Sequence, residues 1–414
     1  MALQEAIYKA IQEFGKDVLI ESRFINILND YHGFDEIPAA RHILKIMQDE
    51  SRFDVFFKSI DVTDFAISQI VTSLNRKYGF ETEQAKAIIC AIKMALSAEE
   101  NQVAASSVQN DVSALNLISN SYEKDDCWID GNGVVYSQDR QRLIRAPKSL
   151  PDNYKINSNT KVICNEAFSL SHITSLDLPE GITHIGDRAF LNRFFLKQIS
   201  LPSSLLYIGD SVFYKCESLK SIVLPKRLFF IGKNPFVGCY NLTNVQSKST
   251  LFEVINGSLC DSNSLISFIG SNDVCALPSR ISTIRDYAFY DNDIIKSIYL
   301  PDGITHIGNR SFSWCSKIHN IDLPNNLECI GEKAFSFCEN LQTIIIPQNV
   351  RIIGDYAFEY CAFTSVNIPS SIEQIGNHAF SGCHKITSVV IPKGTMTNMM
   401  RLLPDYLHKK LVEQ

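Results

Sequence analysis

LPNNLECIGEKAFSFCENLQTI, residues 323–344, decides the fold, because its arrangement of Leu-Pro, Ile-Gly, Ala-Phe and Cys returns at a fixed step through the C-terminal two-thirds of the chain. Its phenylalanine, Phe335, is one of a series at Phe168, Phe190, Phe213 and Phe236, then Phe289, Phe312, Phe335, Phe358 and Phe380. The steps are 22, 23, 23, 53, 23, 23, 23 and 22 residues. A period in the range of about 20 to 29 residues with Leu or Ile at fixed offsets is the mark of stacked leucine-rich units. Each unit buries its apolar face only against its neighbours, so the chain reads as a solenoid.

The unit L-x-x-I-x-L-P explains itself physically. Ile321 and Leu323, or Ile222 and Leu224, alternate with period two, so they point into a core while the residues between them face out. Proline ends the strand because it brings no amide to the ladder. The I-G-x-x-A-F segment then returns along the opposite wall. Gly186, Gly209, Gly232, Gly308, Gly331, Gly354 and Gly376 there supply either a special backbone conformation or a closeness that a side chain would block. The phenylalanines are expected to stack as a spine, each burying on the order of 150 to 250 Å².

The outward strand positions form two columns on one face, expected to be concave. One is small and polar: Ser175, Gln198, Ser221, Asn244, Ser297, Asn320, Thr343, Ser365 and Ser388. The other mixes polar with apolar groups: Asp177, Ser200, Val223, Gln246, Tyr299, Asp322, Ile345, Asn367 and Val390. An apolar or aromatic group on a solvated sheet is a contact anchor or a residue that merely favours strands. The candidate partner-binding set is Asp177, Val223, Tyr299, Asp322, Ile345 and Val390.

Outside the regular units, Trp128 to Tyr136 (WIDGNGVVY) carries Asp-Gly and Asn-Gly between apolar residues, which predicts a tight hairpin. FEVINGSLCDSNSLISFIG, inside the 53-residue step, repeats the device, so residues 248–278 read as a modified unit rather than a domain break. Residues 125–393 then form the solenoid. Residues 394–414, with Met396, Met399, Leu402, Leu403 and Leu407 on roughly one side, are expected to close its end. Residues 1–97 have apolar spacing of helical type and a faint duplication around Gly33-Phe34 and Gly79-Phe80. The stretch 98–124 is rich in Ser, Asn, Gln and Ala and reads as a linker.

Composition excludes several classes. The 414 residues are 45% hydrophobic and 20% charged, ordinary for a globular chain, and the formal charge of −6 is evenly spread. No basic stripe points to nucleic acid, and no stretch reaches membrane-spanning length. Glu5, Lys9, Glu13, Lys16 and Asp17 interrupt any apolar run that would read as a signal peptide. Six of the twelve cysteines (Cys216, Cys239, Cys315, Cys338, Cys361 and Cys383) follow the repeat phenylalanine by three residues, a ladder of free buried thiols. No C-x-x-C spacing suggests zinc. Asp125, Asp126, Asp130 and Asn132 lack the spacing of a calcium loop and read as a turn. His184 and His306 occupy a phase expected to be partly exposed. With no nucleophile elbow, phosphate loop or dinucleotide fingerprint, the expectation is a non-enzymatic protein without metal or cofactor.

The AF-x-x-C phase of residues 323–344, together with the interspersed hairpins, resembles the bacterial surface-antigen, BspA-like class of leucine-rich repeat proteins over about residues 128–393. The resemblance implies a right-handed solenoid with one parallel strand per repeat and a role in protein recognition; the helical reading of residues 1–97 in front of it, a departure from the class, makes the expected chain α+β. Secreted members of the class are similar to adhesins for host matrix proteins. The expected function is an intracellular scaffold or sensor that binds a protein partner on the concave face, without nucleic acid or membrane insertion. The alternatives are a cell-surface adhesin whose leader was removed and an effector delivered into a host cell.

Overall fold

The structure, a computed structural model, describes residues 127–270 and 272–414, together with Ala6, Ile7, Lys9, Ala10, Phe24, Leu28, Ile43, Leu44, Lys45, Met47, Ile88 and Ile92. The chain divides into two compact units, residues 1–119 and 120–414. In the first, the described residues are helical, with Ala6, Ile7 and Ala10 buried and Lys9 exposed. The rest of the helical reading, the duplication and the linker lie outside the described residues.

The second unit is a β-solenoid. The L-x-x-I-x-L-P segments form short parallel strands, as in Ser175–Asp177 beside Gln198–Ser200 and Ser297–Tyr299 beside Val274–Ala276. The Ile-Gly segments form a second parallel ladder on the other wall, so most repeats carry two strands rather than the expected one. Its rungs run Val162–Ile163, His184–Ile185, Tyr207–Ile208 and Phe230–Ile231, and later Thr283–Ile284, His306–Ile307, Cys329–Ile330, Ile352–Ile353 and Gln374–Ile375. The chain is extended on both walls because each Gly N–H donates to the unit before, as Gly209 does to Ile185 O at 2.9 Å.

That glycine is required by closeness. A Cβ on Gly209 would lie 2.4 Å from Asp187 Oδ1 and 2.7 Å from Asp187 N, and one on Gly354 would lie 2.5 Å from Glu332 N. The left-handed backbone falls elsewhere, on non-glycine residues. Arg188 (φ 55), Ser211 (φ 55), Arg310 (φ 53) and Lys333 (φ 54) occupy one turn position, and Asn192 (φ 58), Lys215 (φ 56), Trp314 (φ 66) and Phe337 (φ 60) another. Such conformations cost non-glycine residues on the order of 1 kcal/mol or more. They persist because they aim N–H groups at the next unit: Arg188 N donates to Asp210 O at 2.8 Å and Phe337 N to Glu359 O at 2.7 Å.

The phenylalanine spine is continuous on either side of the irregular unit. Ring centroids are 5.0, 5.5 and 5.6 Å apart from Phe168 to Phe236, and 5.4, 4.8, 5.0, 5.4 and 5.5 Å apart from Phe268 to Phe380. Phe268, in the second hairpin, supplies the rung before Phe289. The described cysteines are all free, and those of the ladder do more than fill space. Each thiol donates to the carbonyl of the spine phenylalanine one unit earlier, as Cys338 does to Phe312 O at 3.1 Å and Cys383 to Phe358 O at 2.9 Å. Burial pushes the thiols of Cys338 and Cys383 up to about 12, which suppresses the reactive thiolate.

Both hairpins form as three antiparallel strands. The first comprises Cys127–Ile129, Val135–Ser137 and Arg142–Arg145. Asp130 Oδ1 accepts the N–H groups of Asn132 and Val134 at 2.9 Å each, a side-chain turn. The second comprises Glu253–Ile255, Ser258–Cys260 and Ser264–Phe268. Its two inner strands are buried along their whole length. Leu259 and Ile266 belong to the core running from Val134, whereas Cys260, Leu265 and Phe268 belong to the core running on to Leu407. The hairpin is a partition shared by two cores. Beyond the last repeat, helices Met396–Leu402 and Asp405–His408 bury Met399, Leu403 and Leu407 in the second core. Strand Leu411–Glu413 pairs parallel with Ser388–Ile391.

The partition interrupts a side-chain ladder, and charged groups bridge the gap. Asn165, Asp187 and Asp210 each accept, through Oδ1, the N–H of the equivalent residue one unit later, at 2.7, 2.8 and 2.9 Å. The ladder stops at Lys233 and restarts at Asp286, and Lys233 Nζ donates to Asp286 Oδ2 at 2.6 Å. Arg285 stands where other units have glycine. Its guanidinium donates to Ile231 O at 3.3 Å, the carbonyl a glycine N–H would otherwise reach, and pairs with Asp261. Cys164, in the unit after the first hairpin, also replaces that glycine. The requirement for glycine comes from a regular unit in front.

His184 is buried, not partly exposed, because its ring stacks on Tyr207 (5.6 Å) within an aromatic file that continues to Phe230 (4.7 Å). Burial holds its pKa down at about 3. The folded imidazole is therefore neutral while the unfolded one protonates below its ordinary value of about 6.5. The unfolded state binds more protons between those values, so stability is full above pH about 6.5 and falls as pH drops toward 3. His184→Tyr, which extends the aromatic file, is expected to flatten the loss of stability between pH 6.5 and 5. Urea melts at the two pH values check this, and equal slopes in the two proteins would refute it.

Candidate functional site

The strand face is built by period-two alternation, with Ile298, Ile321 and Ile344 inward and their neighbours outward. Tyr299 is 66% exposed, Ile345 74% and Val223 39%, while Asp177 and Asp322 are exposed and Val390 is half-buried. Register defines which of these meet. Ile345 pairs with Asn367, Asn367 with Val390, and Val390 with Val412, giving one continuous row. Tyr299 lies beside Ala276, two units and so about 10 Å of strand spacing from Ile345. Asp177, whose Oδ1 accepts from Ser200 Oγ at 2.6 Å, and Val223, opposite Gln246, lie before the second hairpin.

The candidate set thus falls into two residues before the partition, Asp177 and Val223, and four after it, Tyr299, Asp322, Ile345 and Val390. Asn367 is committed internally: its side chain accepts from Ile346 N at 2.9 Å and donates to Ile346 O at 2.8 Å. That clamp sits beside the single bridge between Ile345 and Asn367.

Two exposed positions on this face escape a reading of the regular units. Val274 (46% exposed) sits on strand Val274–Ala276, whose signal is Leu277-Pro278, spaced 23 residues before Leu300-Pro301. Val412 (48% exposed) belongs to the last strand, in a stretch with no repeat signature. A separate column of Trp314, Phe337 and Tyr360 lines one turn edge, with centroids 4.2 and 4.8 Å apart. The rings stack face to face, and Trp314 and Tyr360 at the two ends stay exposed.

Among the described residues, no group of three His, Cys, Asp or Glu side chains is placed to hold a metal ion. No described helix is long and apolar enough to cross a membrane. The family described as "BspA type Leucine rich repeat region" matches in 6 copies over residues 149–266, 271–387 and 352–400. The chain belongs to this family.

BspA-type repeats generally serve as protein-interaction scaffolds, not as enzymes. Among solved structures, the pneumococcal vaccine antigen PcpA is similar to this BspA-type chain at 18% identity and a TM-score of 0.55, over 71% of this chain and 91% of that one. A leucine-rich cell surface protein from Faecalibacterium prausnitzii A2-165 is similar at 19% identity, covering 69% and 97%, with a TM-score of 0.42. At this identity the likeness to PcpA supports the solenoid fold alone. No curated protein matches the chain in sequence.

Proposed function

We infer that the chain is a non-enzymatic scaffold that recognises a protein partner on the outward face of the L-x-x-I-x-L-P strands, taken to be the concave side of a right-handed solenoid. The exposure of Tyr299 and Ile345 carries this reading. Large apolar groups held in solvent on a rigid sheet are suited to be contact anchors, with Val274 and Val390 on the same side of the second hairpin, Val223 on the other, and Asp177 and Asp322 setting orientation. Tyr299→Asp combined with Ile345→Asp is expected to weaken partner capture at least tenfold with little change in the melt. Full retention of every captured partner would place the interface elsewhere.

The division into a helical region at 1–97, a linker at 98–124, the solenoid and a closing segment at 394–414 is part of the same proposal, with the helical region coupling recognition to a second task. The free cysteines do not decide the compartment. Their burial keeps them unreactive in oxidising surroundings as well as in reducing ones. Display at the cell surface is favoured over a cytoplasmic site by the BspA-type family itself, and a similar solved protein is a vaccine antigen. Protease shaving of intact producing cells tests this: clipping of the solenoid while cytoplasmic controls survive supports display, and full protection rejects it.

A further inference from the structure

The partition leaves a notch in the turn edge. From the spine phenylalanine to the next strand the chain takes 8 residues after Phe213, Phe236 and Phe289, but only 6 between Phe268 and Val274. The shortened turn exposes a cleft lined by Gly238, Tyr240, Gly270, Tyr290, Asp291 and Asp293 over a floor of spine phenylalanines, with no Lys or Arg among its lining residues. Two main-chain groups that regular units satisfy find no partner among the described residues here. Tyr214 O accepts from Asn192 N at 2.8 Å and Val237 O from Lys215 N at 2.7 Å. Their counterpart, Tyr290 O, accepts no hydrogen bond among the described residues, and the Gly238 N–H donates none. Nor do the carboxylates of Asp291 and Asp293 or the hydroxyls of Tyr240 and Tyr290 have a hydrogen-bond partner among the described residues.

Cations already seek the tyrosines around this cleft. Lys215 Nζ lies 5.6 Å from the Tyr214 ring centroid and Arg310 Cζ 5.7 Å from that of Tyr287. Neither base forms an ion pair with Asp291 or Asp293. Burial pushes the Asp291 carboxyl up, Lys215 pulls it down in part, and Asp293 adds to the rise. The carboxylate thus lacks a full counter-charge.

We propose that this notch takes an arginine side chain of a protein partner, its guanidinium between Asp291 and Asp293 and against the Tyr240 ring. A planar, weakly hydrated cation with a fork of donors matches two carboxylates and an aromatic wall better than a compact ammonium or a metal ion does. The Gly238 N–H, which donates to no described residue, suits the carbonyl of an adjoining peptide, which favours a polypeptide over a free amine. The site lies on the turn edge and does not depend on the strand-face reading.

The test uses the full chain with ring-labelled tyrosine, assigned through Tyr240→Phe and Tyr290→Phe, and nuclear magnetic resonance titration with Nα-acetyl-arginine methylamide. Nα-acetyl-citrulline methylamide, of the same shape without the charge, and spermidine are the comparisons. The arginine derivative is expected to shift the Tyr240 and Tyr290 signals saturably while citrulline does not. Asp291→Asn with Asp293→Asn should weaken it at least fivefold, Lys215→Met should tighten it, and Tyr299→Asp with Ile345→Asp should leave it unchanged. An unchanged Tyr406 signal shows that the variants stay folded. Equal response to arginine and citrulline, no response to either, or tighter binding of spermidine would overturn the proposal.

Discussion

Phe335→Ala is expected to cost about 3–5 kcal/mol of stability, the range for emptying a fully buried aromatic site. Phe335 is fully buried, with Phe312 at 5.0 Å and Phe358 at 5.4 Å on its two faces. Alanine removes dispersion contacts on both sides at once. The surroundings cannot close over the void, because each neighbouring unit is fixed by main-chain bonds such as Phe335 N to Ala357 O at 2.7 Å. In a stack whose stability is a sum of units and interfaces, both interfaces of one unit weaken together. Guanidinium melts of the variant and the parent measure the change. The exposed Phe195, at 61%, is the control, and Phe195→Ala should stay within about 0.5 kcal/mol. A loss below about 1 kcal/mol for Phe335→Ala would show that the spine does not hold the stack.

Arg285→Gly is expected to destabilise by about 3–5 kcal/mol, although it restores the residue that regular units carry at this position. Removing one partner of a buried pair leaves the other charge uncompensated. Here Asp261 would lose its guanidinium, and the carbonyl of Ile231 would lose a donor. Of the ion pairs around the seam, Lys233–Asp286 and Arg280–Glu253 would remain. The damage falls between two cores, so the variant should unfold in two steps where the parent unfolds in fewer. Calorimetry checks both the size and the splitting of the transition. A variant as stable as the parent would mean that packing of the hairpin alone joins the halves.

Much of this was legible in the sequence where one side chain has one physical task. The spine phenylalanines, the inward Ile-x-Leu pairs and the two Asn-Gly or Asp-Gly hairpins were read directly, because burial and turn geometry each select few residue types. The glycines allowed two readings, and only the approach of Asp187 to Gly209 decides for closeness. The left-handed positions were hidden. Arg188, Ser211 and Lys333 share no composition, and their backbone is held by bonds to the next unit, not by anything intrinsic to the residues. His184 was misread as partly exposed because polar type does not reveal that a histidine can continue an aromatic file. The second strand ladder was missed because two-residue rungs leave no alternation to detect. At the candidate site, Tyr299 and Ile345 followed from alternation, whereas Val412 followed from a tertiary pairing with Val390 that local sequence does not announce.

The two hairpins carry a kinetic consequence. Every parallel rung of the solenoid joins residues a whole unit apart, so forming the first such rung means closing a loop before any neighbour rewards it. The hairpins alone offer antiparallel pairing between residues a few positions apart, which forms on the microsecond scale. Arg142–Arg145 and Ser264–Phe268 then present finished edges on which Val162–Ile163 and Thr283–Ile284 can add. Each hairpin is therefore expected to act as a nucleus, and growth from residues 127–145 and 253–268 at once would halve the distance over which the stack must extend. A long array of identical units would have one chance in many places to begin out of phase; this chain has two fixed origins.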